Sequence, residues 1–229
     1  MDHVRERRTG AEQPISPLMP EVEDFLFASC REMPGVKTVF ARDEDIFNEG
    51  EEARFFYKVI AGAVRTQRLL GDGRRHVEAF HLPGEMFGLE SSETYLLGAE
   101  AVTNTTVLTF KRSAVEALAA RDIGVAQQLW RFTAGRLERS IAHLFMLGRM
   151  TATERVAGFL VDMDERMRPS GDIELPMTRR DIADYLGLTL ETVSRIMSRL
   201  QAKGMVERSG ARHIKVQRRS SLKALGAGL

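Results

Sequence analysis

Between residues 36 and 110, short apolar runs alternate with turn residues, and this pattern predicts strands rather than helices. The segment FFYKVIAG is predicted to be a strand that ends at Gly62. The segments AVRTQRLL and RRHVEAFHL flank the turn signal GDG and predict a hairpin. A turn at Pro83 and Gly84 and two strand-like runs within GAEAVTNTTVLTF follow. Several short strands at this spacing are typical of a β-barrel or sandwich.

After Phe110 the apolar positions change to the period of a helix. No proline interrupts residues 123 to 148, so one long helix is predicted there. One row of small and apolar positions recurs at alternating intervals of four and three residues, as in a coiled-coil seam; it comprises Trp130, Ala134, Leu137, Ile141 and Leu144. A second row, Val125, Leu129 and Phe132, is expected to pack on the barrel. Two apolar faces favour a homodimer over the alternative of a single buried helix in a monomer.

Two further helical patterns flank Gly187, where a tight turn needs a residue that tolerates positive φ. Thr178 and Asp181 form a capping-box start for the first helix, and Thr189 is a good N-cap for the second. The inward positions are Ile182, Ala183 and Leu186 in the first helix and Val193, Ile196, Met197 and Leu200 in the second. After Gly204, the segment MVERSGARHIKVQ predicts a β-hairpin. Together these elements predict a winged helix-turn-helix.

The predicted fold class is therefore α+β, with an N-terminal jelly-roll β-barrel, a long dimerisation helix and a C-terminal winged helix-turn-helix. Residues 1–19 are polar, contain two prolines and are expected to be a disordered arm, and a short helix is expected over residues 21–31. We place the sensor-like barrel at residues 20–121, the dimerisation helix at 122–148 and the DNA-binding domain at 149–229.

The charge distribution adds a candidate partner to this picture. The last 60 residues carry 11 Lys and Arg against 6 Asp and Glu, whereas the first 169 carry 22 against 26. A basic C-terminal part suggests a polyanion partner, with a merely solvated surface as the alternative. No apolar run approaches the roughly 18 residues of a membrane span. We therefore expect a cytoplasmic protein that does not enter membranes.

Three polar residues of the second helix are candidates for reading DNA bases. Glu191, Ser194 and Arg195 fall on the edge opposite Val193 and Ile196, in the turns that enter a major groove in helix-turn-helix proteins. An arginine can donate two hydrogen bonds to guanine, a glutamate can accept from cytosine N4, and a serine can contact a base edge or a thymine methyl. The alternative is that Glu191 and Arg195 form an ordinary i,i+4 salt bridge.

Other polar residues are candidates for phosphate contacts. Thr178 and Arg179 begin the first helix, where backbone amides and a guanidinium suit an anion. Thr189, Arg199 and Lys203 are expected to meet phosphates from the second helix.

The remaining reactive side chains do not form a recognisable site. Cys30 is the single cysteine, which excludes an intramolecular disulfide and a cysteine-only metal or iron–sulfur site within one chain. It is either a redox-sensitive thiol or, more commonly for such a position, a packed and inert one. The histidines show no metal-ligand spacing; those considered are His76, His81, His143 and His213. We predict no metal, no cofactor and no enzymatic activity.

The sequence resembles the CRP/FNR superfamily of bacterial transcription regulators from residue 36 to the C-terminus. TRRDIADYLGLTLETVSR resembles the FNR branch, and TATERVAGFL resembles the helix before it. The resemblance implies that Glu191, Ser194 and Arg195 are the E-x-x-S-R residues that read a TTGA half-site, and that Thr178 and Arg179 contact phosphates. Leu190 stands where the CRP branch has arginine, which favours a TTGAT-N4-ATCAA palindrome (TTGA-N6-TCAA).

Departures from the family pattern bear on what the protein senses. The iron–sulfur members use four cysteines, so the single cysteine here implies no such cluster. The cAMP-binding members have a carboxylate after a glycine and then an Arg-Ser pair; the matching positions here are Leu89 after Gly88, and Gly98 with Ala99. We therefore expect no cAMP binding, although Glu90 lies one position away.

The remaining resemblance is to FixK-like regulators, which act in microaerobic, nitrogen-fixation or denitrification circuits. It implies an activator that contacts RNA polymerase, and residues 71–73 with Pro83 and Gly84 are the expected contact loops. Two alternatives stay open: a regulator whose DNA binding needs haem or a small molecule in the barrel, and a regulatory subunit of an enzyme or kinase.

Overall fold

A computed structural model describes residues 35–167, 170–210 and 212–228. The predicted arm 1–19, the predicted helix 21–31 and Cys30 lie outside the described residues. The strands are β1 Val36–Phe40, β2 Asp45–Phe47, β3 Phe55–Ala61, β4 Val64–Leu69, β5 Arg75–His81, β6 Met86–Phe87, β7 Gly98–Ala101, β8 Thr105–Lys111, β9 Asp172–Glu174, β10 Val206–Ser209 and β11 His213–Val216. The helices are α1 Arg112–Ala119, α2 Ile123–Arg149, α3 Ala152–Arg166, α4 Arg179–Leu186, α5 Leu190–Ala202 and α6 Arg219–Gly226.

The first eight strands form two four-stranded antiparallel sheets, in the orders β1-β8-β3-β6 and β2-β7-β4-β5. The predicted hairpin is confirmed: β4 pairs with β5 from Val64 opposite His81 to Leu69 opposite Arg75. Stacked aromatic rings lie between the sheets: the centroids of Phe47 in β2 and Tyr57 in β3 are 5.5 Å apart, and Tyr95 stacks on Phe47 at 3.7 Å. The alternating apolar residues of these strands thus build the predicted barrel.

The long helix α2 lies against this barrel on one side. Val125 and Phe132 are buried in a cluster with Phe56 and Phe110, and Leu129 packs against it, as the second apolar row predicted. Asp122 caps the start of the helix by accepting hydrogen bonds from the amides of the first turn. The short helix α1 precedes it and was not predicted, because its eight residues carry too little periodicity. None of the described helices combines the length and the apolar character needed to cross a bilayer.

The C-terminal part is a winged helix-turn-helix with two additions. A capping box of Thr151 and Glu154 starts α3. The wing has a third strand, since β9 pairs with β11 beside the predicted β10–β11 hairpin. Helix α6 packs closely on α3: a Cβ at Gly226 would lie 2.8 Å from the Gly158 nitrogen, so the approach requires glycine. Neither β9 nor α6 was predicted.

The barrel and the DNA-binding part share one apolar cluster. Phe80 of β5 lies 6.3 Å from Phe159 of α3 and 5.4 Å from Tyr185 of α4, measured between ring centroids. Arg166 of α3 donates to the Phe80 carbonyl at 2.5 Å and pairs with Glu85 at 2.8 Å. The two parts that the sequence separates therefore pack through apolar side chains, and an ion pair lies beside this contact.

Candidate nucleic-acid interface

The start of α4, the turn that follows it and the start of α5 are formed by the caps that the sequence predicted. The Thr178 hydroxyl accepts from the Asp181 amide at 3.2 Å, and the Asp181 carboxylate accepts from the Thr178 amide at 2.8 Å. Gly187 ends α4 with φ 61° and ψ 39°, the left-handed region in which a side chain would be strained. Two residues later, Thr189 accepts from the Thr192 amide at 3.2 Å and starts α5.

One face of α5 is buried and the other is presented outward. The buried residues are those that the pattern predicted: Val193, Ile196, Met197 and Leu200. Glu191 and Arg195 are exposed one turn apart, and Ser194 beside them is half-buried. The structure therefore brings the three candidate base-reading residues together on one edge near the start of the helix. That edge offers both donors and acceptors, as a base pair in the major groove requires.

Glu191 and Arg195 do not form the ion pair considered as the alternative; in the described part of the chain, Arg195 Nη2 instead donates to Thr192 Oγ1 at 3.3 Å. The i,i+4 spacing permits such a pair, but Arg195 extends toward Thr192 and Glu191 toward Thr189. The pKa of Glu191 is lowered by the backbone amide at the helix start and by the Thr189 hydroxyl. An exposed, ionised carboxylate at this position is a ready acceptor for an amino group.

Two of the phosphate candidates have hydroxyls that are already used in helix caps, whereas two others are exposed basic residues. The hydroxyl of Thr178 is already engaged, since it also donates to Asp181 Oδ2 at 2.7 Å. A phosphate at the start of α4 would therefore meet the amides of Arg179 and Arg180, which the first turn of a helix leaves without intrahelical partners. Arg199 is exposed further along α5, and Lys203 is exposed directly after the end of this helix. The hydroxyl of Thr189 is likewise used in its cap, as described above.

Sequence reasoning missed several basic residues of this surface. Arg180 is exposed beside Arg179, and its charge contributes to the lowered pKa of Glu191. In the wing, Arg208 donates to Gln201 at 2.5 Å and to Ser198 at 3.4 Å, which ties the wing to α5. Lys215 is exposed on β11. The sequence shows these residues as a cluster of Arg and Lys, but only the folded wing places them next to α5.

A network of ion pairs joins the start of α4 to the barrel. Arg75 Nη2 of β5 lies 2.5 Å from Asp181 Oδ1 and 2.7 Å from Asp184 Oδ2. Arg65 of β4 adds a contact of 3.4 Å to Asp181 and pairs with Glu100. Burial would raise the pKa of Asp181, but the hydrogen bonds from Thr178 and the two arginines together hold it below the usual value. Asp181 therefore stays charged at neutral pH.

The predicted dimer seam is exposed along α2. Trp130 is 73% exposed, Leu137 61%, Ile141 57% and Leu144 68%, while Ala134 is half-buried. Ile123 and Phe145 extend the same apolar surface. Large apolar side chains exposed in a row are uncommon on a monomeric protein and mark an interaction surface.

The barrel positions that hold a cyclic phosphate in the resembling family are occupied by apolar or small residues. Leu89 follows Gly88 at the end of β6, and Gly98 and Ala99 lie in β7 with no side chain that could bind a phosphate. Burial raises the pKa of Glu90, so this neighbouring carboxyl is disfavoured as an anion in its present surroundings.

The histidines take structural positions. His81 is buried and bonded to Thr66 at 3.1 Å, and His143 bonds the Tyr185 carbonyl at 2.9 Å. His213 pairs with Asp172 at 2.8 Å in the wing. Among the described residues, no group of three or more His, Cys, Asp or Glu is placed to hold a metal ion.

Comparison with known families and structures agrees with this architecture. Residues 37–122 match the cyclic nucleotide-binding domain family, and residues 154–225 match the Crp-like helix-turn-helix domain family. Both matches fall on the parts that the sequence assigned to barrel and DNA-binding domain, and they confirm the predicted α+β fold class.

The chain is also similar to proteins of rhizobial bacteria. It is 42% identical to the nitrogen fixation regulation protein FixK of Azorhizobium caulinodans, over 83% of this chain and 79% of that protein. It is 39% identical to the FixK protein of Rhizobium meliloti, over 84% and 88% of the two chains. The structure of FixK2 from Bradyrhizobium japonicum matches with a TM-score of 0.83 and 49% identity, covering 84% of this chain and 98% of that one.

Proposed function

The chain belongs to the FixK-like branch of the CRP/FNR superfamily of bacterial transcription regulators, and we propose that it is a homodimer that reads a TTGA-N6-TCAA palindrome. As a member of this family it is a DNA-binding transcription regulator and not an enzyme. The observation that carries the proposal is the exposed edge of Glu191, Ser194 and Arg195 on a helix whose opposite face is buried.

Each of the three residues has a defined role in the proposed readout. Arg195 donates to O6 and N7 of the guanine of TTGA, Glu191 accepts from the cytosine N4 of a pair in the same half-site, and Ser194 contacts a base edge or a thymine methyl. The start of α4 supplies Arg179 and Arg180 to the phosphate backbone on one side. Arg199 and Lys203 supply charge on the other side, so the helix is held in register while the base contacts specify the sequence.

The proposed dimer forms through the exposed stripe of α2. Two copies of the seam that runs from Trp130 to Leu144 bury each other in a parallel coiled coil. The two-fold axis then relates the recognition helices, and a palindrome whose half-site centres lie about 34 Å apart presents one major groove to each. This symmetry requires the two half-sites to be inverted copies, as TTGA and TCAA are.

The proposed physiological role follows from the relatives. Several similar sequences are named as nitrogen fixation regulation proteins, so we assign this chain to microaerobic, nitrogen-fixation or denitrification control. It acts as an activator that contacts RNA polymerase in the cytoplasm, without cAMP or an iron–sulfur cluster. Pro83 is exposed and Gly84 half-buried in the turn between β5 and β6, and this turn is the proposed contact. Residues 71–73 are less suited, because they border a groove whose other side is the turn at Gly187.

A binding titration tests the proposal. Purified protein with nothing added is titrated, at fixed physiological salt, into a labelled TTGAT-N4-ATCAA duplex and into one with both TTGA arms scrambled. We expect two chains per duplex and at least about 1,000-fold tighter binding to the palindrome. Equal affinity for both duplexes would contradict the base readout. Weak binding to both would contradict ligand-independent activity and favour an effector in the barrel.

A further inference from the structure

The C-terminal end of α4, the first helix of the helix-turn-helix, is capped by side chains from two other helices. Within the turn, the amides of Gly187 and Leu188 both donate to the Ala183 carbonyl. The carbonyls of Tyr185 and Leu186 are among the last four of the helix, which have no intrahelical partner. His143 Nε2 from α2 bonds the Tyr185 carbonyl at 2.9 Å, and Arg155 Nη1 from α3 donates to the Leu186 carbonyl at 3.0 Å.

Arg155 also caps the end of the long helix α2. Its Nη2 donates to the Leu147 carbonyl at 2.6 Å and its Nε donates to the Met150 carbonyl at 2.9 Å. All three acceptors are therefore backbone carbonyls at the C-terminal ends of two helices, where the helix dipole concentrates negative charge. The rigid fork of a guanidinium fixes the relative position of the groups it bonds, which a lysine ammonium cannot do.

His143, the second capping residue, also makes an aromatic stacking contact at this junction. The His143 ring stacks on Tyr185 with centroids 4.1 Å apart and an angle of 18° between the planes. Gly187 lies against the same junction: a Cβ there would stand 3.5 Å from Leu147 and 3.6 Å from Arg155. Helix α5 begins only three residues after Gly187. Any rotation between the end of α2 and the end of α4 is therefore carried directly into the recognition helix.

We propose that Arg155 and His143 form a joint that sets the spacing between the two half-sites that the dimer accepts. In the dimer, α2 defines the two-fold axis and α5 enters the groove, so the angle between α2 and the α4–α5 unit determines how far apart the two recognition helices lie. Arg75 of the barrel holds the start of α4 through its ion pairs, and the joint holds the end of the same helix. This inference rests on the proposed dimeric readout of a palindrome.

DNA sites (operators) with a different number of base pairs between the two arms test for such a joint. One additional base pair between the arms moves a half-site by about 3.4 Å and turns it by about 35° around the DNA axis. A rigid dimer loses contacts on one side of this longer operator, so the unmodified protein should bind it much more weakly than TTGAT-N4-ATCAA. A dimer whose joint is loosened adjusts more easily, so the preference should shrink.

The test compares Arg155→Gln with the unmodified protein on TTGAT-N4-ATCAA and TTGAT-N5-ATCAA at one salt concentration. We expect the affinity ratio between the two operators to fall by about tenfold, the factor associated with one charge-assisted hydrogen bond. Arg155→Lys should recover little of it, because an ammonium cannot bond three carbonyls in a plane. Arg54→Gln is the matched control: it removes the same charge from the exposed barrel surface and should leave the ratio unchanged.

Variants of His143 keep the test decisive if Arg155→Gln unfolds. His143→Leu removes the bond to Tyr185 and should also reduce the ratio, whereas His143→Gln retains a donor and should preserve more of it. An equal loss of affinity on both operators would show that the residues only maintain the fold, and would overturn the joint. A wild-type protein without any preference for a TTGA palindrome would instead contradict the proposed function on which the joint rests.

Discussion

Arg75 of the barrel and Asp181 of the first helix of the helix-turn-helix form an ion pair with 2.5 Å between Nη2 and Oδ1. The other oxygen of the same carboxylate accepts from the amide and the hydroxyl of Thr178. One buried carboxylate thus closes the capping box at the start of α4 and also attaches that start to the barrel. Because the proposed phosphate contacts lie at the same helix end, the barrel takes part in positioning the DNA-binding surface.

Replacing Asp181 should reveal this double role in stability. Asp181→Ala removes the carboxylate that Arg75 and Arg65 share, although Asp184 and Glu100 remain as their other partners, and it removes the capping box. We therefore expect the free energy of unfolding to fall by about 2–4 kcal/mol. Urea unfolding followed by circular dichroism measures the change. Asp72→Ala is the control, because Asp72 pairs with Arg74 at the exposed hairpin tip, where solvent screens the pair, and its loss should change the stability little. Similar losses for the two variants would argue against the attachment.

Much of the fold followed from periodicity and caps. The change from strand to helix period after Phe110, the row of Val125 and Phe132, and the capped helices around Gly187 all predicted elements that the structure contains. The missed elements are short: β9 has three residues, and α1 and α6 have eight each. Helix α4 is equally short but is marked by its capping box, whereas α1 and α6 have no side-chain cap. They form because longer neighbours offer them a surface to pair with or pack on.

The candidate site was predictable in its residue types and less so in its connections. The edge of Glu191, Ser194 and Arg195 follows from helix geometry alone. The partner of Arg195 does not, since Thr192 and Glu191 are both within reach of a long side chain. Arg75 and Asp181 are 106 positions apart, and the acceptors of Arg155 are backbone carbonyls that no residue type marks. Such contacts depend on how the domains pack.

A charge placed in the exposed stripe of α2 should disrupt the proposed dimer. Leu137→Asp or Ile141→Asp would put a carboxylate against its symmetry mate in an apolar seam, and we expect monomers in sedimentation experiments at micromolar concentration. Glu138→Gln alters the neighbouring exposed position and should leave a dimer. A tight dimer in both aspartate variants would exclude the stripe as the interface.

The stability of the protein should fall as the pH drops below about 6.5, the usual pKa of histidine. Burial lowers the pKa of His81, and the nearby arginines lower it further; burial also lowers the pKa of His143 despite its bond to Tyr185. The unfolded chain therefore binds protons more readily than the folded one, so stability is complete above pH 6.5 and is lost toward the folded pKa values.

Urea titrations at several pH values between 7.5 and 5 measure this loss, which should be on the order of 1 kcal/mol per pH unit for each histidine. The Thr66 hydroxyl donates to Glu78 at 3.0 Å, so the Nε2 of His81 is the donor to Thr66. His81→Gln keeps a donor and removes the titrating group, and it should flatten the pH dependence. An unchanged slope in this variant would mean that His81 is not a source of the acid sensitivity.

Contacts to phosphates should differ from contacts to bases in their dependence on sequence and salt. Arg199→Ala is expected to weaken binding to the palindrome and to scrambled DNA by similar factors, and to reduce the slope of affinity against salt by about one unit. Anisotropy titrations over a range of salt concentrations provide both values. If Arg199→Ala lost affinity for the palindrome alone, the residue would have to be moved to the base-reading group.

The most direct test of the base readout combines Arg195→Ala with a change of the guanine that Arg195 is proposed to contact. For the unmodified protein, replacing the guanine of TTGA in both arms should cost about 1–3 kcal/mol for each half-site. Arg195→Ala should bind the original and the altered operators with nearly equal affinity, because the group that distinguishes them is gone. If Arg195→Ala still discriminated between them as strongly as the unmodified protein, another residue would read this guanine and the proposed role of Arg195 would be wrong.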